Sequence, residues 1–142
     1  MITLTAYHVI KVTNSRTAWA KLAANFYGNP GRDLVLVGIT GTNGKTSTVT
    51  FLHQLLTALG YKCGMMSTIE IMIGTNKYEN LQGCTTYNPS DINKYLREMS
   101  DQGCTHCVME VSSHGLVQKR VEGKFLLIST DLYYLKLKSS FS

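Results

Sequence analysis

Gly38-Ile39-Thr40-Gly41-Thr42-Asn43-Gly44-Lys45-Thr46 decides the reading of this chain because of what lies on either side of it. An apolar, β-like run from Leu34 to Val37 feeds into the stretch, and a run with helical apolar spacing leaves it. A glycine-rich turn between a strand and a helix lets the backbone come close to an anion. The first amides of the helix then point at phosphate oxygens and the helix dipole adds to the attraction. Lys45 supplies a point charge, and the Thr46 hydroxyl is placed to ligate magnesium. The stretch therefore predicts a phosphate-binding loop for a nucleoside triphosphate, with ATP and Mg²⁺ as the expected ligands. Its spacing is unusual: the general pattern has glycine where this chain has Ile39, and Gly38 lies one residue too early.

Working outward, Leu34 to Ile39 is nearly continuous in apolar residues, as a strand covered on both faces should be. After the loop, Val49, Leu52, Leu55, Leu56 and Leu59 recur at helical spacing up to Gly60. Lys62 to Thr68 reads as the next strand, and Ile69 to Asn80 as a strand pair turning at Gly74-Thr75-Asn76. Asn88-Pro89 is a cap followed by a first-turn proline. It opens a helix with Ile92, Tyr95, Leu96 and Met99 on one face, ended by Gly103. Cys104 to Val111 is a further buried strand. Upstream, Tyr7 to Val12 reads as a short strand. Ser15 then caps a helix with Ala18, Trp19, Leu22, Ala23 and Phe26 as its apolar face, ending before Gly28 and Pro30. The alternation predicts an α/β fold with a largely parallel sheet. Ligands bind such sheets beyond the carboxyl ends of the strands, so the loop and the segment from Glu110 onward should share one site.

The chain has 142 residues, enough for one domain with a core, and carries a formal charge of +5. Its basic residues are scattered, with Lys136 and Lys138 the exception, so phosphates rather than nucleic acid account for the bias. No run is apolar for long enough to span a bilayer, and Met1 to Ile10 lacks the pattern of a signal peptide. A cytoplasmic, membrane-free location is the expectation. Cys104-Thr105-His106-Cys107 has C-x-x-C spacing, but within a strand residues three apart face opposite ways, so the sulfurs should not converge on one ion. Buried reduced thiols are expected at Cys63, Cys84, Cys104 and Cys107.

Glu110-Val111-Ser112-Ser113-His114-Gly115-Leu116-Val117-Gln118-Lys119-Arg120 forms a second constellation, dense in donors and acceptors at a strand end. A carboxylate at Glu110 suits the magnesium that Thr46 also touches. Ser112, Gln118 and Arg120 suit an anionic substrate, arginine through its planar fork. His114 fits a hydrogen-bonded structural histidine equally well.

Taken with G-I-T-G-T-N-G-K-T-S, M-S-T-I-E and Thr85-Thr86, the run M-E-V-S-S-H-G-L-V-Q-K-R-V resembles the central ATP-binding domain of the Mur ligases. Within that family the chain is most similar to members that add the third, diamino residue to UDP-N-acetylmuramoyl-L-alanyl-D-glutamate. The resemblance covers about residues 7 to 125. It implies that Gly41, Thr42, Asn43, Gly44, Lys45, Thr46 and Ser47 bind the triphosphate, with Lys45 and Glu110 catalytic and Thr46 and Glu110 ligating Mg²⁺. It implies that Thr85, Thr86, Ser112, Gln118 and Arg120 grip the UDP-muramoyl dipeptide. The implied reaction phosphorylates the substrate carboxylate, after which the amine of a diamino acid displaces phosphate. The intact enzyme would be a monomer acting in peptidoglycan synthesis. Phosphoryl transfer of this kind needs positioning and electrostatic stabilisation more than a protein nucleophile.

The chain departs from the resemblance in three places. Tyr87 stands where most relatives have proline. Most of an N-terminal uridine-binding domain is missing, so residues 1–32 read as its end and a linker, and 33–142 as a partial central domain. After Phe125 the family's T-N-L-x-x-D-H segment is reduced to Thr130-Asp131-Leu132, and the carbamylated lysine and the C-terminal domain that selects the amino acid do not follow. The expectation is a truncated or frameshifted fragment without ligase activity, whose apolar tail Phe125 to Leu137 favours self-association. A non-catalytic ATP-binding remnant and a fragment similar to folylpolyglutamate synthases are the alternatives. A P-loop kinase or GTPase would need base-recognition motifs that are not found.

Overall fold

The computed structural model describes residues 10–121 and 125–130. Its centre is a six-stranded sheet in the order β4-β3-β2-β5-β1-β6. The strands are β1 (Val35–Thr40), β2 (Cys63–Met66), β3 (Glu70–Ile73), β4 (Asn76–Glu79), β5 (His106–Glu110) and β6 (Phe125–Ser129). β2, β5, β1 and β6 run parallel, while β3 and β4 form an antiparallel hairpin on the β2 edge. The largely parallel α/β sheet read from the sequence is therefore the observed one.

Helices cover both faces because the parallel strands carry apolar side chains on both sides. Helix α2 (Lys45–Ala58) lays Val49, Leu52 and Leu56 on Val37, Ile39, Met65 and Val108. Helix α3 (Pro89–Asp101) places Ile92, Leu96 and Met99 on the other face against Leu36, Met66, Cys107 and Met109. Asn88 caps α3 as expected, its side chain accepting from the Asp91 amide at 3.0 Å.

Helix α1 (Ser15–Phe26) differs from its sequence reading in two ways. Its cap is Asn14, whose Oδ1 accepts from the Thr17 amide at 3.0 Å, and Ser15 is the first helical residue. Both residue types cap well, and the helix starts one residue earlier than expected. The expected apolar face is only partly the buried one: Ala23 is buried, together with Ala20, whereas Trp19 is 49%, Leu22 66% and Phe26 83% exposed. The helix packs on α3, and a close approach through alanines covers only a narrow stripe. Trp19 Nε1 donates to Ser90 Oγ at 3.0 Å across this contact.

Two smaller corrections concern strands. Residues 10 to 12 are not in a strand, and Tyr7 to Val9 lie outside the described residues. Cys104 precedes β5, so strand alternation does not separate it from Cys107; both thiols are buried in one apolar cluster and free. Cys63 is also buried and free, and Cys84 is half-buried and free. The expectations beyond Thr130, the Asp131-Leu132 echo and the apolar tail, lie outside the described residues.

Candidate functional site

Among the described residues the buried polar ones are Thr40, Ser67, Asn80, Thr86 and Glu110. All five lie at the carboxyl ends of the central strands or in the loops beyond them. Buried polar groups are costly without partners, so their clustering at one sheet edge marks where a site is built.

The glycine loop expected to bind phosphate leaves β1 at Thr40 and enters α2 at Lys45. Gly41 has φ 139° and Gly44 φ 77°, backbone conformations that favour glycine. Helices α1, α3 and α4 (Ser113–Val117) each have an N-cap side chain, Asn14, Asn88 and Ser112. For α2 no side chain caps the N-terminus. Gly44, its cap residue, has no side chain to offer the first amides, and the dipole there favours an anion.

The loop carbonyls, by contrast, are occupied. Lys45 Nζ donates to Gly41 O at 2.8 Å and to Thr42 O at 3.1 Å. Gly44 O accepts from the Thr48 amide at 2.9 Å. Thr40 O accepts from the Thr130 amide at 2.9 Å, and the Thr130 hydroxyl lies 2.8 Å from Asn43 O and 3.1 Å from Thr40 O.

Glu110 ends β5 beside β1, with Ile39 its register partner. Alternation along β5 puts it on the face of Val108, which is the face α2 covers. The carboxylate and the N-terminal turn of α2 therefore lie on one side of the sheet. Glu110 is 1% exposed and has no ion pair among the described residues. Its oxygens accept from the Thr68 amide at 2.8 Å and the Thr68 hydroxyl at 3.1 Å. Thr68 also reaches Thr85 Oγ1 at 3.3 Å, so it links the carboxylate to the Thr85-Thr86 loop.

Four of the five expected substrate residues come together as one network. Thr86 Oγ1 accepts from the Ser112 amide at 2.8 Å and lies 3.1 Å from Ser112 Oγ. Ser112 Oγ accepts from the Gly115 amide at 3.0 Å and caps α4. Arg120 donates from Nη1 to Thr86 O at 2.6 Å and from Nε to Gln118 Oε1 at 2.8 Å. Thr86 is itself 1% exposed, so its hydroxyl is spent on holding Ser112 in place. Ser112, Gln118 and Arg120 are half-buried, Thr85 is half-buried above Thr68, and His114 is exposed.

Tyr87 turns into the core, 1% exposed, with its ring edge-on to Tyr95 at 5.6 Å. Its hydroxyl has no partner among the described residues, and burial pushes the phenol well above its ordinary range. Asn80 and Thr68 are the residues that sequence reasoning passed over. Asn80 Nδ2 lies within 3.0 Å of Ser67 O, Thr68 O and Cys84 O, tying the loop after β2 to the loop before α3. Thr68 stands in the M-S-T-I-E run, which carried the resemblance without a role for this residue.

The donor set fits a magnesium ion. Thr46 and Glu110 offer hard oxygen atoms on one face of the sheet. No group of three or more His, Cys, Asp or Glu side chains that could hold a metal occurs among the described residues. A single carboxylate suits a cation that keeps waters and binds chiefly through substrate phosphates.

The family description "Mur ligase middle domain" matches residues 39–128, more than half of the chain. The chain belongs to this family. A Mur ligase from Cytophaga hutchinsonii, UDP-N-acetylmuramoyl-L-alanyl-D-glutamate–2,6-diaminopimelate ligase, is 48% identical over 115 residues, which is 81% of this chain and 23% of that protein. The protein of the same name from Clostridium botulinum is 43% identical over 115 residues, again 81% of this chain and 23% of the relative. A solved structure of a ligase of this name superposes with a TM-score of 0.54 at 30% identity, covering 71% of this chain and 21% of that one. The chain thus spans less than a quarter of the length of the curated Mur ligases it matches.

Proposed function

We propose that this chain is the nucleotide-binding part of an ATP-dependent ligase that adds 2,6-diaminopimelate to UDP-N-acetylmuramoyl-L-alanyl-D-glutamate. The observation that carries the reading is the N-terminus of α2, whose cap residue Gly44 supplies no side chain, preceded by a glycine loop whose carbonyls are all occupied and flanked by Lys45. The relatives' names supply the substrates, and the membership of the family supplies ATP as the phosphoryl donor. We assign residues 1–32 to the end of a preceding uridine-binding domain and its linker, and residue 33 onward to the ATP-binding domain.

In this reading Gly41 to Ser47 cradle the triphosphate, and Lys45 leaves the loop carbonyls to meet charge on the γ-phosphoryl group. Thr46 and Glu110 would hold Mg²⁺, which would supply charge neutralisation at the phosphates. A carboxylate oxygen of the dipeptide attacks the γ-phosphorus and the bond to ADP breaks, giving an acyl phosphate. The amine then attacks the carbonyl carbon, loses a proton and expels phosphate, leaving an amide. Arg120 and Gln118 orient the anionic substrate, with Ser112 placed by Thr86. The free thiols, one of them half-buried on the loop before α3, suit a reducing cytoplasm.

Calorimetric titration with MgATP tests the reading. The wild-type chain should bind, and Lys45→Ala should weaken binding by about tenfold or more, the loss of one charge-assisted contact. Equal affinity in the two proteins would remove the loop from the site.

A further inference from the structure

We infer that Thr130, the residue after β6, is the positioning residue that holds the phosphate loop in its binding shape. The inference rests on the nucleotide-binding reading above and adds to it a residue from the far side of β1, which lies 87 and 90 positions from its two loop partners.

In a planar trans peptide the carbonyl and the amide N–H point in opposite directions, so fixing one fixes the other. Thr130 fixes two of the loop's carbonyls. Its amide donates to Thr40 O at 2.9 Å, and its hydroxyl, 3.1 Å from the same oxygen, lies 2.8 Å from Asn43 O. The peptides concerned carry the amides of Gly41 and Gly44, which bracket the loop. Lys45 fixes the two peptides in between through Gly41 O and Thr42 O.

The two holders differ in what a phosphate does to them. An anion recruits the Lys45 ammonium, which must then loosen its carbonyl bonds. Thr130 is uncharged and sits on the carbonyl side of the loop, so its bonds persist when a phosphate binds. The fit is close: a Cβ on Gly41 would lie 1.9 Å from Thr130 Oγ1 and 3.1 Å from Thr130 Cβ. Gly41 is therefore required by Thr130 as well as by its φ of 139°.

The test compares wild type, Thr130→Val, which keeps the shape and loses the hydroxyl, and Thr130→Ser, which keeps the hydroxyl. Each protein is titrated with MgATP and with tripolyphosphate, and amide hydrogen exchange is followed across the chain without ligand. Thr130→Val should weaken both ligands about three- to tenfold, the loss of one hydrogen bond. It should speed exchange at Gly41 to Gly44 while leaving the amides of α3 unchanged, and Thr130→Ser should restore both. Wild-type affinity with unchanged loop exchange in Thr130→Val overturns the inference. So does faster exchange spread evenly over the chain, which marks general destabilisation. Wild-type protein that binds neither ligand overturns the nucleotide reading instead, and the loop exchange of Thr130→Val then still decides whether Thr130 holds the loop.

Discussion

Thr68 holds Glu110 at both carboxylate oxygens, through its amide at 2.8 Å and its hydroxyl at 3.1 Å, in a site where Glu110 is 1% exposed. A buried carboxylate without an ion pair depends on such donors, since leaving either oxygen unsatisfied costs the full desolvation of that atom. Thr68→Val keeps the amide bond and removes the hydroxyl. We expect it to lower stability by about 2 kcal/mol, the usual worth of a hydrogen bond to a charged group, and Thr68→Ser to retain most of that. Urea titration of the three proteins measures it; a Thr68→Val midpoint equal to wild type would show that the hydroxyl contributes nothing.

Asn80 presents an amide nitrogen to three backbone oxygens, Ser67 O, Thr68 O and Cys84 O. Asn80→Ala loses these bonds, whereas Asn80→Asp places carboxylate oxygens against carbonyl oxygens. The aspartate variant should therefore be the less stable at pH 7, by about 1 kcal/mol or more beyond alanine. Lowering the pH to 4 should narrow the gap as the carboxyl takes up a proton. Chemical denaturation at the two pH values reads this out, and an aspartate variant as stable as wild type at pH 7 would mean that the three carbonyls are not held by Asn80.

Gly41 and Gly44 both have positive φ, but only Gly41 has a neighbour where a side chain would go. Gly44→Ala should cost about 1–2 kcal/mol from backbone strain alone. Gly41→Ala should cost clearly more, because the new methyl meets Thr130. Equal denaturation midpoints for the two variants would show that Thr130 moves aside freely.

Burial pushes the Cys63 thiol up to about 12 from an ordinary 9.0, with Cys104 adding to the effect. The unfolded thiol ionises near 9.0 while the folded one keeps its proton. Its contribution to stability is thus complete below pH 9 and lost as pH rises toward 12, at about 1.4 kcal/mol per pH unit. Urea unfolding at pH 8, 9, 10 and 11 should show this decline, with a shallower slope in Cys63→Ala. Iodoacetamide at pH 8 should label half-buried Cys84 well before Cys63 or Cys107, and equal labelling rates would contradict the burial of the latter two.

The glycine loop, β1, α2 and the capped start of α3 were legible because each is written in adjacent residues: a glycine run, an apolar run, an Asn-Pro pair. Glu110 was legible as a polar residue ending an apolar strand. Thr68 and Asn80 were not, because their partners lie up to 42 residues away and a threonine or asparagine in a turn has an ordinary local explanation. Part of the face of α1 was misread for a related reason. Apolar spacing marks every position able to face a core, and α1 meets one helix through Ala20 and Ala23, leaving Leu22 and Phe26 outside the contact.

The position of β1 between β5 and β6 has a consequence for how the chain is made. The glycine loop emerges before β5, and β6 with Thr130 comes later still, Thr130 lying 90 residues after Thr40. At roughly 5–20 residues per second the ribosome needs about 5–18 s to supply them. Until then β1 lacks β6, and the loop has its lysine but not its threonine. Pairings this distant in sequence also close slowly. A nascent chain stalled before residue 125 would carry the whole glycine motif and still lack the strand and the hydroxyl that shape it.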